Sequence, residues 1–212
     1  MSYEKPSVIE SLSDLKIASI LNMLSRLSID ISIIVLAIYR DISRTHIHRA
    51  FLVLLSEIIS IIIFIGIVLG LIAAYAFLVP AYEGLRAFKF NVFNTTYKLI
   101  KTGYLGGFAL LLIGFIFVVA STLLYRTPNA FVLGIALIVL AVVLLAIGHI
   151  GLAIGSLRLS ELFGEGKFTI VAILFLVGAF IILITPLAWI LKYMALKTTI
   201  SKVTSGYYTE AT

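Results

Sequence analysis

Two long apolar runs flank a four-residue turn, and this hairpin restricts the possible folds more than any other stretch. Thr102–Tyr125 carries no formal charge, and the one ionisable side chain of Ala130–Leu157 is His149. A helix of about 20 apolar residues crosses a hydrocarbon core, and either arm is longer than that. Between them Arg126-Thr127-Pro128-Asn129 reverses the chain. Thr127 suits a helix N-cap, and Pro128 suits the first helical position, where a missing N–H costs nothing. Small residues recur every seven positions: Gly107, Gly114 and Ser121 in the first arm, and Gly134, Ala141, Gly148 and Gly155 in the second. Seven residues are about two helical turns, so each set makes a stripe along one face. Helices in lipid associate by close backbone approach, which small residues permit. The two stripes are therefore expected to face each other.

Only 12% of the 212 residues are charged, against about 25% in a water-soluble domain. The composition describes one polytopic membrane domain over residues 1–212, an all-α transmembrane helical bundle. The net charge of +6 is modest, and basic residues flanking spans meet lipid headgroups, so no nucleic-acid partner is expected. The chain has no cysteine, which excludes disulfides, thiolate metal sites and iron–sulfur ligation. The N-terminus has two acids and a proline before the first apolar run and lacks a basic n-region, so the first span is expected to be retained.

Five spans are expected, at about 17–39, 51–79, 102–125, 130–157 and 168–194. In the first, Lys16, Ser19, Asn22, Arg26 and Asp30 recur at steps of three or four and form one helix face. Ile17, Ile20, Leu21, Leu24, Leu27 and Ile31 form the other. Either the helix spans with its polar face toward protein, or Asp14–Ser28 lies flat in the interface and four spans remain. The spanning reading is favoured. The second span holds Gly66 and Gly70, a G-x-x-x-G pair for helix contact, and is expected to stop at Pro80. Tyr82–Lys101 reads as a polar connection whose basic and aromatic residues suit the headgroup layer, with Asn94-Thr95-Thr96 capping the third span. In the last span Pro186 predicts a kink, and Trp189 and Tyr193 are expected at the interface. Five spans set eight basic residues on one side against seven on the other, which leaves orientation unspecified by charge. The large basic connection Tyr82–Lys101 favours its own side as the cytoplasmic one. The N-terminus is then expected inside and, after five spans, the C-terminus outside.

Charged groups inside a membrane cost about 2.5–3.5 kcal/mol each at a helix centre, so each needs a reason. Arg26 and Asp30 are four apart and can pair. In an antiparallel hairpin of the first two spans, Glu57 reaches the depth of Asp30, and two acids with one arginine could carry a proton. The plainer alternative is a structural polar cluster with Glu57 near the headgroups. His149 is expected to hydrogen-bond across helices, and His46 and His48, beside Arg44 and Arg49, to meet phosphates or water. No cofactor and no metal site is expected, and no motif of a known catalytic class occurs.

The run Gly107–Gly155, the following Ser-Leu-Arg-Leu-Ser-Glu-Leu-Phe163, and the last apolar run with Pro186 and Leu191-Lys-Tyr-Met-Ala-Leu-Lys197 resemble a family of crenarchaeal polytopic membrane proteins, domain of unknown function 973. The likeness lies mainly in the C-terminal half, and the stretch with Arg26 and Asp30 shares less of it. It implies a thermophilic archaeal source and a helical membrane fold, with no assigned activity. Two functions follow from the residues. The abundant small-residue faces favour a structural or accessory protein that self-associates or joins other membrane subunits in the lipid bilayer. The polar set Arg26, Asp30 and Glu57 favours a small proton- or ion-coupled transporter or channel.

Overall fold

The computed structural model describes residues 7–42, 49–122 and 128–205, in which helix dominates and no strand occurs. The first helix, α1 (Val8–Ile42), is followed by α2 (Arg49–Ile72), which runs through a π-helical segment, Ala73–Leu78, into α3 (Val79–Phe88) without a break. One residue, Lys89, leaves helical geometry with φ −133° and ψ 84°. The chain then turns into α4 (Phe90–Ile100), a second π segment Lys101–Gly106, and α5 (Gly107–Ala120). The long helix α6 (Pro128–Phe163) follows, then α7 (Lys167–Gly178) and α8 (Thr185–Thr204). Among the described residues four stretches are long and apolar enough to cross a membrane: Val8–Ile38, Leu54–Phe88, Phe90–Ala120 and Pro128–Phe163. Large apolar side chains lie exposed along all four, among them Ile31, Ile61, Phe117 and Val139.

Two boundaries differ from the sequence reading. Pro80 does not stop the second helix. It has no N–H to donate, and the preceding π segment absorbs the mismatch: Val79 N–H bonds to Ala74 O, five residues back. Tyr82–Lys101 is not a loop but two helix ends meeting at Lys89. Thr96 lies buried inside α4 rather than capping a helix, because that helix already starts at Phe90. Tyr82 packs on Phe93, and Arg86 lies 4.3 Å over the Tyr97 ring, so α3 and α4 pack on each other across Lys89.

The stretch expected as a fifth span is broken. α7 ends at Gly178, a short 3-10 turn occupies Ile182–Ile184, and α8 starts at Thr185 with Pro186 in its first turn. Proline cannot supply the N–H that a continuing helix needs, but it fits a helix start. α8 therefore turns back along α7. Thr185 Oγ1 donates to Gly178 O (3.4 Å) at the tip, and Phe175 and Trp189 rings meet at 4.9 Å about one turn below it. Lys202 Nζ donates to Glu165 Oε2 (2.8 Å) at the base. With 12 residues, α7 is about 18 Å long, too short to cross a hydrocarbon core of about 30 Å. The start of α1 and the end of α8 consequently lie at the same end of the bundle.

Gly164, with φ 60°, makes the turn from α6 into the hairpin, a conformation that other residues rarely adopt. Beside it the Glu165 carboxyl is held below its ordinary value, chiefly by the hydrogen bond from Lys202 and also by the Lys202 and Lys167 charges. A carboxyl depressed in the folded state stabilises above its unfolded value and loses that contribution as pH falls through the folded one. Thermal stability is thus expected to drop as pH falls below the ordinary glutamate value of 4.5, by about 1 kcal/mol or less because Lys202 is partly exposed. Melting curves of Glu165→Gln should lack that component, and an unchanged pH profile would remove this clamp from the account.

Candidate functional site

The face of α1 that carries polar residues looks into the bundle. Ser19, Asn22, Ser25, Arg26, Asp30 and Ser32 are all buried, while Ile17, Ile20, Leu24, Leu27 and Ile31 are exposed. The helix is inverted relative to one in water, because its outer surface has no water to satisfy polar groups. Ser25 Oγ donates to Gly66 O (2.7 Å) and ties α1 to α2. The small residues Gly66 and Gly70 make that approach possible. A Cβ at Gly66 would stand 2.9 Å from Ile29 Cγ1, and one at Gly70 would run into the Phe108 ring.

The arms of the central hairpin meet along a glycine seam. Built Cβ atoms at Gly114 and Gly134 would each lie 2.9 Å from the other's carbonyl O, and Gly107 lies against Leu145. Gly148 abuts Tyr104 and Gly103, and Gly155 abuts Tyr82 and Thr96. The seam lets α6 lie close enough to the second π segment to set His149 beside Tyr104, with ring centroids 5.5 Å apart.

A buried polar cluster stands where these elements converge. Arg26 lies 5.6 Å over the Phe108 ring and close enough to Tyr104, His149 and Asp30 to act on each electrostatically. Trp189, from the hairpin, meets the Tyr104 ring edge-on at 6.1 Å. Most of the buried polar atoms that lack a hydrogen bond gather here: Arg26 Nε and Nη2, both Asp30 oxygens, Asn22 Oδ1, Tyr104 Oη, His149 Nε2 and Trp189 Nε1. Among the described residues only Ser11 Oγ and Thr96 Oγ1 share that condition elsewhere. Arg26 and Asp30 make no hydrogen bond to each other, although a single helical turn separates them. Glu57 is not part of the cluster. It is exposed on α2, two positions from the buried Ile59 and therefore on the opposite side of the helix. His149 does not bond across helices. Its Nδ1 donates to Leu145 O of its own helix (2.7 Å), which leaves Nε2 as a free acceptor. His46 and His48 lie outside the described residues. Among the described residues no group of three His, Asp or Glu side chains is placed to hold a metal ion.

Two members of the site were not legible as such. Trp189 is fully buried rather than interfacial, because the hairpin folds it back against the second π segment and α7. Lys192, one turn further along α8, is also fully buried. Its Nζ donates to Tyr82 Oη (3.2 Å) and stands over the rings of Trp189, Tyr82 and Phe175 at 5.1, 5.2 and 5.6 Å. Three ring faces offer a cation their negative quadrupole, which partly replaces lost hydration. The available signal was Pro186, which breaks the run and moves Lys192 from a flank to the interior.

The family model "Protein of unknown function (DUF973)" matches residues 8–212. The likeness is thus not concentrated in the C-terminal half, and it takes in α1 with Arg26 and Asp30. No curated protein and no solved structure matches the chain.

Proposed function

Since the chain belongs to the DUF973 family, whose function is unassigned, we propose from its own geometry that it is a multi-pass membrane protein moving a small solute or ion past Arg26. The supporting observation is the concentration of buried, unpartnered polar atoms on Arg26, Asp30, Tyr104, His149 and Trp189. A buried polar group without a hydrogen bond costs about 1–3 kcal/mol, and more when charged. A cluster serving only to join helices would pair its members. Groups left open to one another are kept where something passes or binds. The surroundings suit movement. Two π segments and a helix pair broken at 179–184 flank the cluster, and such irregular backbone is common at transport sites.

The accessory reading rested on small-residue faces. Those faces are occupied within one chain, Gly66 and Gly70 against α1 and α5, and Gly114 against Gly134. They give no separate reason for self-association. Reconstituted vesicles test the proposal, with pH-sensitive dye for protons and chloride, nitrate and acetate as trial solutes. Flux is expected from the parent, to fall to the protein-free level in Arg26→Gln and Asp30→Asn, and to persist in Glu57→Gln. Absence of any flux from the folded parent would return the protein to a structural role.

A further inference from the structure

We infer that the buried cluster is a binding site for a small planar oxyanion, a carboxylate or an inorganic ion such as nitrate, received by the side edge of Arg26. This rests on the transport reading for its purpose but not for its chemistry. The two Arg26 atoms without partners are Nε and Nη2. Their N–H bonds point the same way and form the fork that takes two oxygens at once. Arg26 is 6% exposed, so the fork does not face bulk water. Its ring neighbour Phe108 covers one guanidinium face and leaves the edge free. Two further donors, Tyr104 Oη–H and Trp189 Nε1–H, belong to side chains whose rings meet edge-on; the Tyr104 oxygen lies near enough to Arg26 to accept from its guanidinium, which leaves its own O–H for a ligand. The site therefore offers donors from α1, the second π segment and α8.

The charges support the sign of the ligand. Lys192 contacts Trp189 and has no carboxylate near it among the ion pairs of the described residues. Among the described residues Lys192 is buried against Trp189 without a carboxylate partner, and Asp30 is the one buried acid beside Arg26. It sits one helical turn from the fork, with both oxygens unpartnered. A change of rotamer brings the Asp30 carboxylate onto the fork, and a bound anion competes with that closure. The exchange keeps the guanidinium paired on either side of binding and avoids the large cost of a bare charge.

The chain has a single tryptophan, Trp189, so its fluorescence reports on this site alone. Purified full-length protein in mild detergent is titrated with acetate, nitrate and chloride at constant ionic strength. Acetate or nitrate is expected to change the emission saturably, at least about tenfold more tightly than chloride, which lacks two oxygens for the fork. Arg26→Lys keeps the charge and loses the fork, so affinity should fall about tenfold or more, one charge-assisted hydrogen bond's worth. Asp30→Asn removes the competitor and should tighten binding even while its flux falls. Preference for acetate over nitrate, or the reverse, assigns the ligand to organic or inorganic oxyanions and supports the inference either way. Identical responses to all three salts, or a parental response in a folded Arg26→Lys, would overturn it. Binding without flux removes the transport reading and leaves this one, whereas proton flux without anion binding does the opposite.

Discussion

Gly103→Ala is expected to lower unfolding stability by about 2 kcal/mol, while Gly106→Ala, three positions away, leaves it unchanged or raises it. A methyl group at Gly103 would collide with the backbone N and Cα of Gly148 and stand 2.7 Å from Leu144 O. Those atoms belong to the main chain of α6 and cannot swing aside, so the arms must separate. Overpacking costs about 1–3 kcal/mol, and a clash against backbone belongs at the upper end, offset by up to about 1 kcal/mol of helix propensity gained over glycine. At Gly106 the added methyl meets only Leu144 Cδ1, at 3.3 Å, the far end of a flexible side chain. The propensity gain then acts alone. Gly148→Leu should resemble Gly103→Ala and exceed it, since it drives a branched side chain into Tyr104. Thermal midpoints in mild detergent decide this, and a Gly103→Ala protein that melts with the parent would show that the seam is looser than drawn.

A reporter fused after Thr212 should give the same sidedness as one fused ahead of Met1, and both should be cytoplasmic. The five-span reading places them on opposite sides. The return of α8 alters the count of basic residues at the two ends of the bundle. By chain position, Lys197 and Lys202 join Lys5, Lys16, Arg86, Lys89, Lys98, Lys101, Arg158 and Lys167. The other end keeps Arg40, Arg44, Arg49 and Arg126. Eight against seven becomes ten against four, with Lys192 set aside as buried. Short connections enriched in lysine and arginine stay in the cytoplasm, so orientation is now well specified. Split signal between the compartments would reject the re-entrant hairpin.

The all-helical bundle was legible because hydropathy and the seven-residue spacing are local properties of the chain. The inward turn of α1 was legible for a similar reason: Asn22, Arg26 and Asp30 share a face that lipid cannot satisfy. The parts that went unread depend on partners distant in sequence. Tyr82–Lys101 looks like a loop because charged residues gather at helix ends, yet nothing in it stops a helix except at Lys89. Glu57 was expected beside Asp30, but it faces outward from α2, which its position in the sequence alone does not reveal. The two π segments each insert a residue into the helical repeat and shift every later side chain around the axis, so a fixed period cannot follow the face across them. Lys192 resembles an ordinary flanking lysine until Tyr82, 110 residues earlier, is known to lie against it.

That last contact bears on biogenesis. Tyr82 is made long before Lys192, and Phe175 and Trp189 complete the cage only when the C-terminal hairpin closes on itself. A lysine entering lipid alone meets a penalty that its own helix cannot offset. The receiving wall must already stand when the hairpin arrives. Sequential assembly is therefore expected, with the four long apolar helices packed first and the hairpin docking on them afterwards. A nascent chain stopped before residue 167 would be a bundle still waiting for its last piece.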